Sequence, residues 1–350
     1  MAVARLPRIR GLEQEMGVRN RCLAAGFTAF LSATPALAAC NGNDLIEAMP
    51  AAERAQIVAR AAAGPFPEGL FWRAERGAQA FDIIGTLHIS DPRHGPLMET
   101  AAPLVAAADV VFLEATPEDM AALEAEFAAR PEFAYILEGP TLRDLLTPAE
   151  WDVYAAEMAA RQVPGFLASQ FQPWLAFTTL SIPPCLLALG AELDNGLDHR
   201  IATHAQALGV ELRALEDPGI LFEVFDALGP EFSLDMLRAS LAQATRAEDL
   251  IATMANAYFA GQHRLIWEFS RTYMPPGFDA MFDARSMDAA FARMEEVFLV
   301  NRNRAWMGVL GTLPGDARAV VAVGAAHLSG PDGLLDLLAK AGYALTRLDG

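Results

Sequence analysis

Along the chain, short uniformly apolar runs alternate with longer stretches in which apolar residues recur at helical spacing. The runs Asp109-Val-Val-Phe-Leu-Glu114 and Ala319-Val-Val-Ala-Val323 have the length and β-branched content of strands buried on both faces, and Val210 to Leu215 predicts a further strand that closes on Glu216. Leu70 to Glu75 and Gln79 to Ile84 flank Arg76-Gly77 and predict a hairpin. Tyr343 to Leu348 predicts a closing strand after a helix over 331–341 that Gly342 ends.

Between these runs the pattern is helical. Helices are predicted over 44–60, 96–107 and 196–208, with further starts at Pro117, Thr147-Pro148 and Gln172-Pro173. Breaks are expected at Pro183-Pro184, at Gly229-Pro230 and at Met274-Pro275-Pro276-Gly277. Strands alternating with helices at both ends of the chain predict an α/β fold. Its central mixed β-sheet is flanked by helices, with large helical insertions between the strand-bearing N- and C-terminal parts. No flexible linker or solenoid repeat interrupts residues 39–350, so a single domain is expected there.

Composition narrows the function classes. The chain has 350 residues, 53% of them hydrophobic, enough for a sizeable core. Its 26 basic against 44 acidic residues, net −18, argue against a nucleic-acid partner. At the N-terminus, Arg19 and Arg21 precede an apolar run from Cys22 to Leu31 and the sequence Ala36-Leu37-Ala38. That order predicts a signal peptide over 1–38, with Met16 as the natural start, and a periplasmic or secreted mature protein without a transmembrane span. Two readings compete for Cys40: a disulfide with Cys185, or lipidation at the lipobox-like Leu37-Ala38-Ala39-Cys40; both thiols staying free is a third.

In open α/β sheets ligands bind beyond the carboxyl ends of the strands, and four such ends carry chemistry. Two are Gly-x-x-His units, Gly85-Thr86-Leu87-His88 and Gly324-Ala325-Ala326-His327; the others end in Glu114 and Glu216. Two imidazoles and two carboxylates at one sheet edge suit a divalent metal or general acid–base work. Each also has a bland reading: a core histidine bonded to backbone, or a carboxylate at a helix start, since Pro117 and Pro218 follow the glutamates. Gly196-Leu-Asp-His199 matches the same spacing but lacks the apolar strand. Asp91, Arg93, His94 and Asp198 are weaker candidates, and Arg302, within Asn301-Arg-Asn-Arg304, is a candidate for holding a carboxylate or an oxyanion. H-E-x-x-H, G-x-S-x-G, a phosphate-binding glycine loop and C-x-x-C are all absent.

These units, with Gly196-Leu197-Asp198, Arg302-Asn303, Trp306 and Gly330 with Gly333-Leu334-Leu335, resemble the TraB/GumN family, which is related to the Tiki metalloproteases. The resemblance implies an exported metal-dependent hydrolase, peptidase-like, with manganese or cobalt, or else zinc, as its ion. It implies His88, His327 and Glu114 as metal-binding and catalytic residues, with Glu216 as a further ligand and Arg302 in catalysis. The expected partner is a peptide or small-molecule substrate. The broader fold is shared with erythromycin-esterase-like hydrolases and a haem-binding lipoprotein group, so a non-catalytic ligand- or haem-binding envelope protein is the alternative.

Overall fold

The computed structural model describes residues 40–188, 195–273 and 284–349. The expected signal peptide and the expected break at 274–277 lie outside the described residues. The strands β1 (Phe71–Arg76), β2 (Gln79–Thr86), β3 (Val110–Leu113), β4 (Glu211–Ala214), β5 (Arg318–Gly324) and β6 (Ala344–Arg347) form one sheet in the order β4-β3-β5-β2-β1-β6. Strands β4, β3, β5 and β2 run parallel, and β1 is antiparallel to both β2 and β6. The sheet is therefore mixed and the fold α/β, as the alternating pattern predicts.

Burial on both faces explains the uniformly apolar runs. On one face Phe81, Ile83, Phe112, Val321 and Val323 pack under Trp306, Leu334 and Leu338. On the other, Ile84, Val111 and Ala322 meet Val105 of helix His94–Ala106 and Leu197, Ile201 and Ala205 of helix Leu197–Leu208. The helices between β3 and β4 build a second core together with a helix that follows β4: Trp151, Tyr154 and Met158 of helix Pro148–Ala160 pack with Leu180 and with Leu237 of helix Pro230–Gln243.

Local chemistry sets the boundaries. The hairpin turn needs a left-handed residue and has Gly77 at φ +63. Thr116 caps helix Pro117–Ala129 in a capping box with Asp119. Helix 44–60 is split into Leu45–Ala48 and Ala51–Ala62, because Pro50 between them has no N–H to continue the ladder. The helix expected from residue 331 starts later, at Leu334, because Gly330 and Asp332 take left-handed conformations at φ +88 and +58. No helix of the described residues is long and apolar enough to cross a membrane. The sulfurs of Cys40 and Cys185 stand at disulfide-bonding distance with Cα atoms 5.2 Å apart, the arrangement that the disulfide reading of Cys40 expects.

Candidate functional site

The parallel strands β2, β5 and β3 deliver His88, Gly324 and Glu114 to the same sheet edge, and β4 brings Glu216 two residues beyond its end. Above this edge lies a cleft of about 650 Å³, lined among others by His88, Glu114, Asp198, Glu216 and Arg302. Three of the four predicted strand-end residues, His88, Glu114 and Glu216, line it, and His327 is buried beside them with Nε2 3.9 Å from Glu114 Oε1. The two motif glycines have different physical reasons. A Cβ on Gly85 would stand 2.7 Å from Leu328, so this glycine admits the turn that carries His327. A Cβ on Gly324 would stand 3.2 Å from Glu114 Oε1, 3.6 Å from His88 Nε2 and 3.7 Å from His327 Cδ2. The missing side chain leaves a small cradle with a carboxylate and two imidazoles around it.

Arg302 is the hub. Its Nη2 donates to Glu114 Oε2 at 2.5 Å and to Glu216 Oε1, while Nε donates to Glu216 at 2.9 and 3.1 Å. Nη1 donates to the carbonyl of Phe298 at 3.2 Å and lies 3.2 Å from His327 Nε2. Trp306 Nε1 donates to the remaining Glu216 oxygen at 2.9 Å. Both carboxylates are therefore committed to a planar, permanently charged fork suited to bidentate pairing. A π-helical turn, Glu296–Val300, precedes helix Asn301–Leu310, and such a turn re-aims the side chains that follow.

The hydrogen bonds also fix both imidazoles. Asn303 spends its amide hydrogens on the carbonyls of His327 (3.3 Å) and Asp332 (3.1 Å), so its Oδ1, 2.7 Å from His327 Nδ1, accepts from that nitrogen. His327 Nε2 is left with its lone pair toward Arg302. His88 Nδ1 lies 3.1 Å from Asp198 Oδ2 and donates to it, so Nε2 faces the cradle. Gly196 makes this contact possible: a Cβ there would be 2.3 Å from the His88 carbonyl oxygen, and the next amide, Leu197 N–H, donates to Leu87 at 3.0 Å.

Electrostatics follow from these contacts. Burial pushes His327 down to about 3, reinforced by Arg302 and His88 and opposed by Glu114, so the ring is neutral at ordinary pH. Burial opposes ionisation of Glu114, but His327, His88, Arg302 and the Gly324 amide, which donates at 2.7 Å, outweigh it and hold the carboxyl at about 2. For His88 desolvation favours the neutral ring, yet the Asp198 hydrogen bond and charge, with Glu114, raise it to about 9. Its side chain is 62% exposed in the cleft, so water screens part of that field.

Other candidates sit elsewhere. Asp91 and Arg93 pair with each other at 2.7 Å, and Arg93 lies over the Phe259 ring, outside the cleft lining. His94 is buried, with Nε2 bonded to the Ile89 carbonyl at 2.9 Å, and steadies the loop after His88. Arg304 is tied to Asp332 and Glu296. Residues that the motif reading overlooks are Glu124 and Met120 on the cleft wall. Their signal was available as the i, i+3, i+4, i+7 stripe Pro117, Met120, Ala121 and Glu124.

Among the described residues no three His, Cys, Asp or Glu side chains form a ready-made metal cage. The donor set around Gly324 nonetheless suits one: two imidazoles with Nδ1 engaged, and one carboxylate, around a space that a single carbon would fill.

A mixed α/β sheet with paired strand-end histidines, and an arginine between two strand-end glutamates, defines the class. The TraB/PrgY/gumN family model matches residues 70–347, and the chain belongs to that family. No curated protein matches the chain.

Proposed function

We propose that the cleft is the active site of an exported metal-dependent hydrolase that cleaves peptide bonds. The observation that carries this reading is the cradle at Gly324, where Glu114 Oε1, His88 Nε2 and the His327 ring lie within 3.2 to 3.7 Å of one point. In this reading His88, His327 and Glu114 hold a divalent ion, manganese or cobalt, with zinc as a further option. When bound, the ion supplies a Lewis acid and lowers the pKa of water at the site.

The chain's own residues do the rest. Asp198 and Asn303 lock the tautomers: His88 presents Nε2 to the cradle, and His327 keeps the Nε2 lone pair free of a proton, toward Arg302. Glu114, held ionised, is the base that takes a proton from the attacking water. Arg302, whose Nη1 lies 3.2 Å from His327 Nε2, supplies the positive charge that would offset a developing oxyanion. Glu216, with both oxygens engaged by Arg302 and Trp306, orients the guanidinium rather than binding the ion. Removal of residues 1–38 on export belongs to the same proposal.

The test is elemental analysis of the protein purified without chelator, paired with mass-spectrometric screening of a peptide library. Near-stoichiometric metal is expected, falling at least about tenfold in His88→Ala and His327→Ala together with cleavage. Metal content unchanged in both variants would overturn the reading. A haem absorption band that either substitution abolishes, without any cleavage, would establish the ligand-binding alternative instead.

A further inference from the structure

Helix Pro117–Ala129 starts three residues after Glu114 and turns one stripe, Pro117, Met120, Ala121 and Glu124, along the cleft. Met120 is 45% exposed there although it is apolar. Pro218 and Ile220 line the cleft with it, and Leu113 and Ala322 are the buried strand residues beneath. From the catalytic pole the cleft is thus apolar for the length of two helical turns, and then it meets a carboxylate. Glu124 is exposed. Arg130, the cap of this helix and its nearest basic residue in sequence, pairs with Glu126 at 3.1 Å and Glu132 at 3.5 Å and covers the Phe133 ring at 3.7 Å. Phe127, three residues after Glu124 and so on its side of the helix, stacks edge-on with Phe222 at 5.0 Å.

We infer that Glu124 is a specificity-determining residue that receives a cationic group of a peptide substrate whose apolar side chains lie on Met120, Ala121 and Ile220. The charge balance of the cleft favours a cation. Glu114, Glu124, Asp198 and Glu216 face it against the Arg302 guanidinium and the His88 and His199 imidazoles. Spacing sets where that cation sits. Pro117 to Glu124 spans about 10 Å at 1.5 Å per helical residue, which an extended peptide covers in about three residues. The substrate class is a peptide with a lysine, arginine or free amino terminus about three residues from the bond that reacts, separated from it by small or aliphatic residues.

The inference rests on the peptide-hydrolase reading only for the position of the reacting bond, and its test reads binding, not turnover. Dye-labelled leucine–alanine heptapeptides carrying one lysine at the first or the last position are compared with their norleucine analogues by fluorescence anisotropy. The full chain is used, with Glu124→Gln and Glu124→Lys. One of the two lysine peptides is expected to bind roughly two- to fivefold tighter than its analogue, as an exposed ion pair allows. Glu124→Gln abolishes that ratio, and Glu124→Lys transfers the preference to a glutamate peptide. An unchanged ratio in Glu124→Gln, or no binding of any peptide by wild type, overturns the inference. A charge preference that depends on Glu124, found without cleavage of any peptide, leaves it standing and removes the hydrolase reading instead.

Discussion

Arg302 keeps two strand-end carboxylates in a site where both would otherwise resist ionisation. Its side chain is 12% exposed, with Glu114 at 18% and Glu216 at 10%, so water screens little of the triad. Removing the guanidinium in Arg302→Met leaves two half-desolvated carboxylates facing each other. By analogy with broken buried pairs the loss is about 3–5 kcal/mol at pH 7. The sign with pH is diagnostic. In the variant the carboxylates are protonated more easily when folded than when unfolded, so acidification toward pH 4.5 should narrow its deficit against wild type. Denaturant titrations of the chelated proteins at both pH values measure this, and an undiminished deficit would argue against Arg302 as the counter-charge. Wild type behaves the other way. Glu114 titrates at about 2 and His327 at about 3, both below their ordinary values. Their contribution is present in full above pH 6.5 and is lost as pH falls, first through the ordinary histidine range and then from 4.5 toward 2. A melting temperature that declines steadily from pH 6.5 to 3, with a shallower decline in His327→Gln, is the expected outcome.

At the scale of elements, the site depends on where turns follow strands. Gly324→Ala changes nothing in the ladder, since φ −50 and ψ 132 suit alanine, but it fills the cradle against Glu114 Oε1 at 3.2 Å. The variant should melt within a few degrees of wild type while losing more than about tenfold in metal content and activity. Gly196→Ala is the contrasting case: its Cβ would meet the His88 carbonyl, backbone against backbone, at 2.3 Å. It should lower stability and displace His88 together. A Gly196→Ala protein as stable as wild type would mean that the two turns are not pressed together. The contrast marks what sequence could disclose. His88, Glu114 and His327 were legible because each follows an apolar run that a buried strand explains, and Glu216 because it closes the alternating run of the edge strand β4. The insertion of β5 between β2 and β3 was not, because its pairing joins residues more than two hundred positions apart. Without that order nothing places Gly324 between His88 and Glu114. Arg302 was legible only as an arginine near a tryptophan; its central position depends on a π-turn that leaves no periodicity signal. Glu124 was visible only as the last member of the stripe Pro117, Met120, Ala121 and Glu124, and nothing in the sequence says that this stripe, and not the one carrying Glu118 or Glu126, faces the cleft.

For the whole molecule, the N-terminal segment is fastened at several points far apart in sequence. Asn41 N–H donates to Glu248 at 3.2 Å, Asn43 N–H to Asp249 at 2.7 Å and Leu45 N–H to Thr253 at 2.8 Å, all on helix Ala247–Phe259. Cys40 adds the covalent link to Cys185, 145 residues away, in the insertion between β3 and β4. The link therefore ties the start of the described chain to a helical layer that has its own core, and a cross-link of that length removes much freedom from the unfolded chain. The loop-entropy relation gives about 5 kcal/mol as an upper value. Cys185→Ser should lower the free energy of unfolding by about 3–5 kcal/mol, and wild type in excess reductant should shift to the same midpoint. The comparison decides between the fates of Cys40. With a disulfide, alkylation of the unreduced protein beginning after residue 38 modifies no thiol, and reduction destabilises it. With a lipid on Cys40, Cys185 is alkylated directly, the mass carries the acyl chains, and reductant leaves the midpoint where it was.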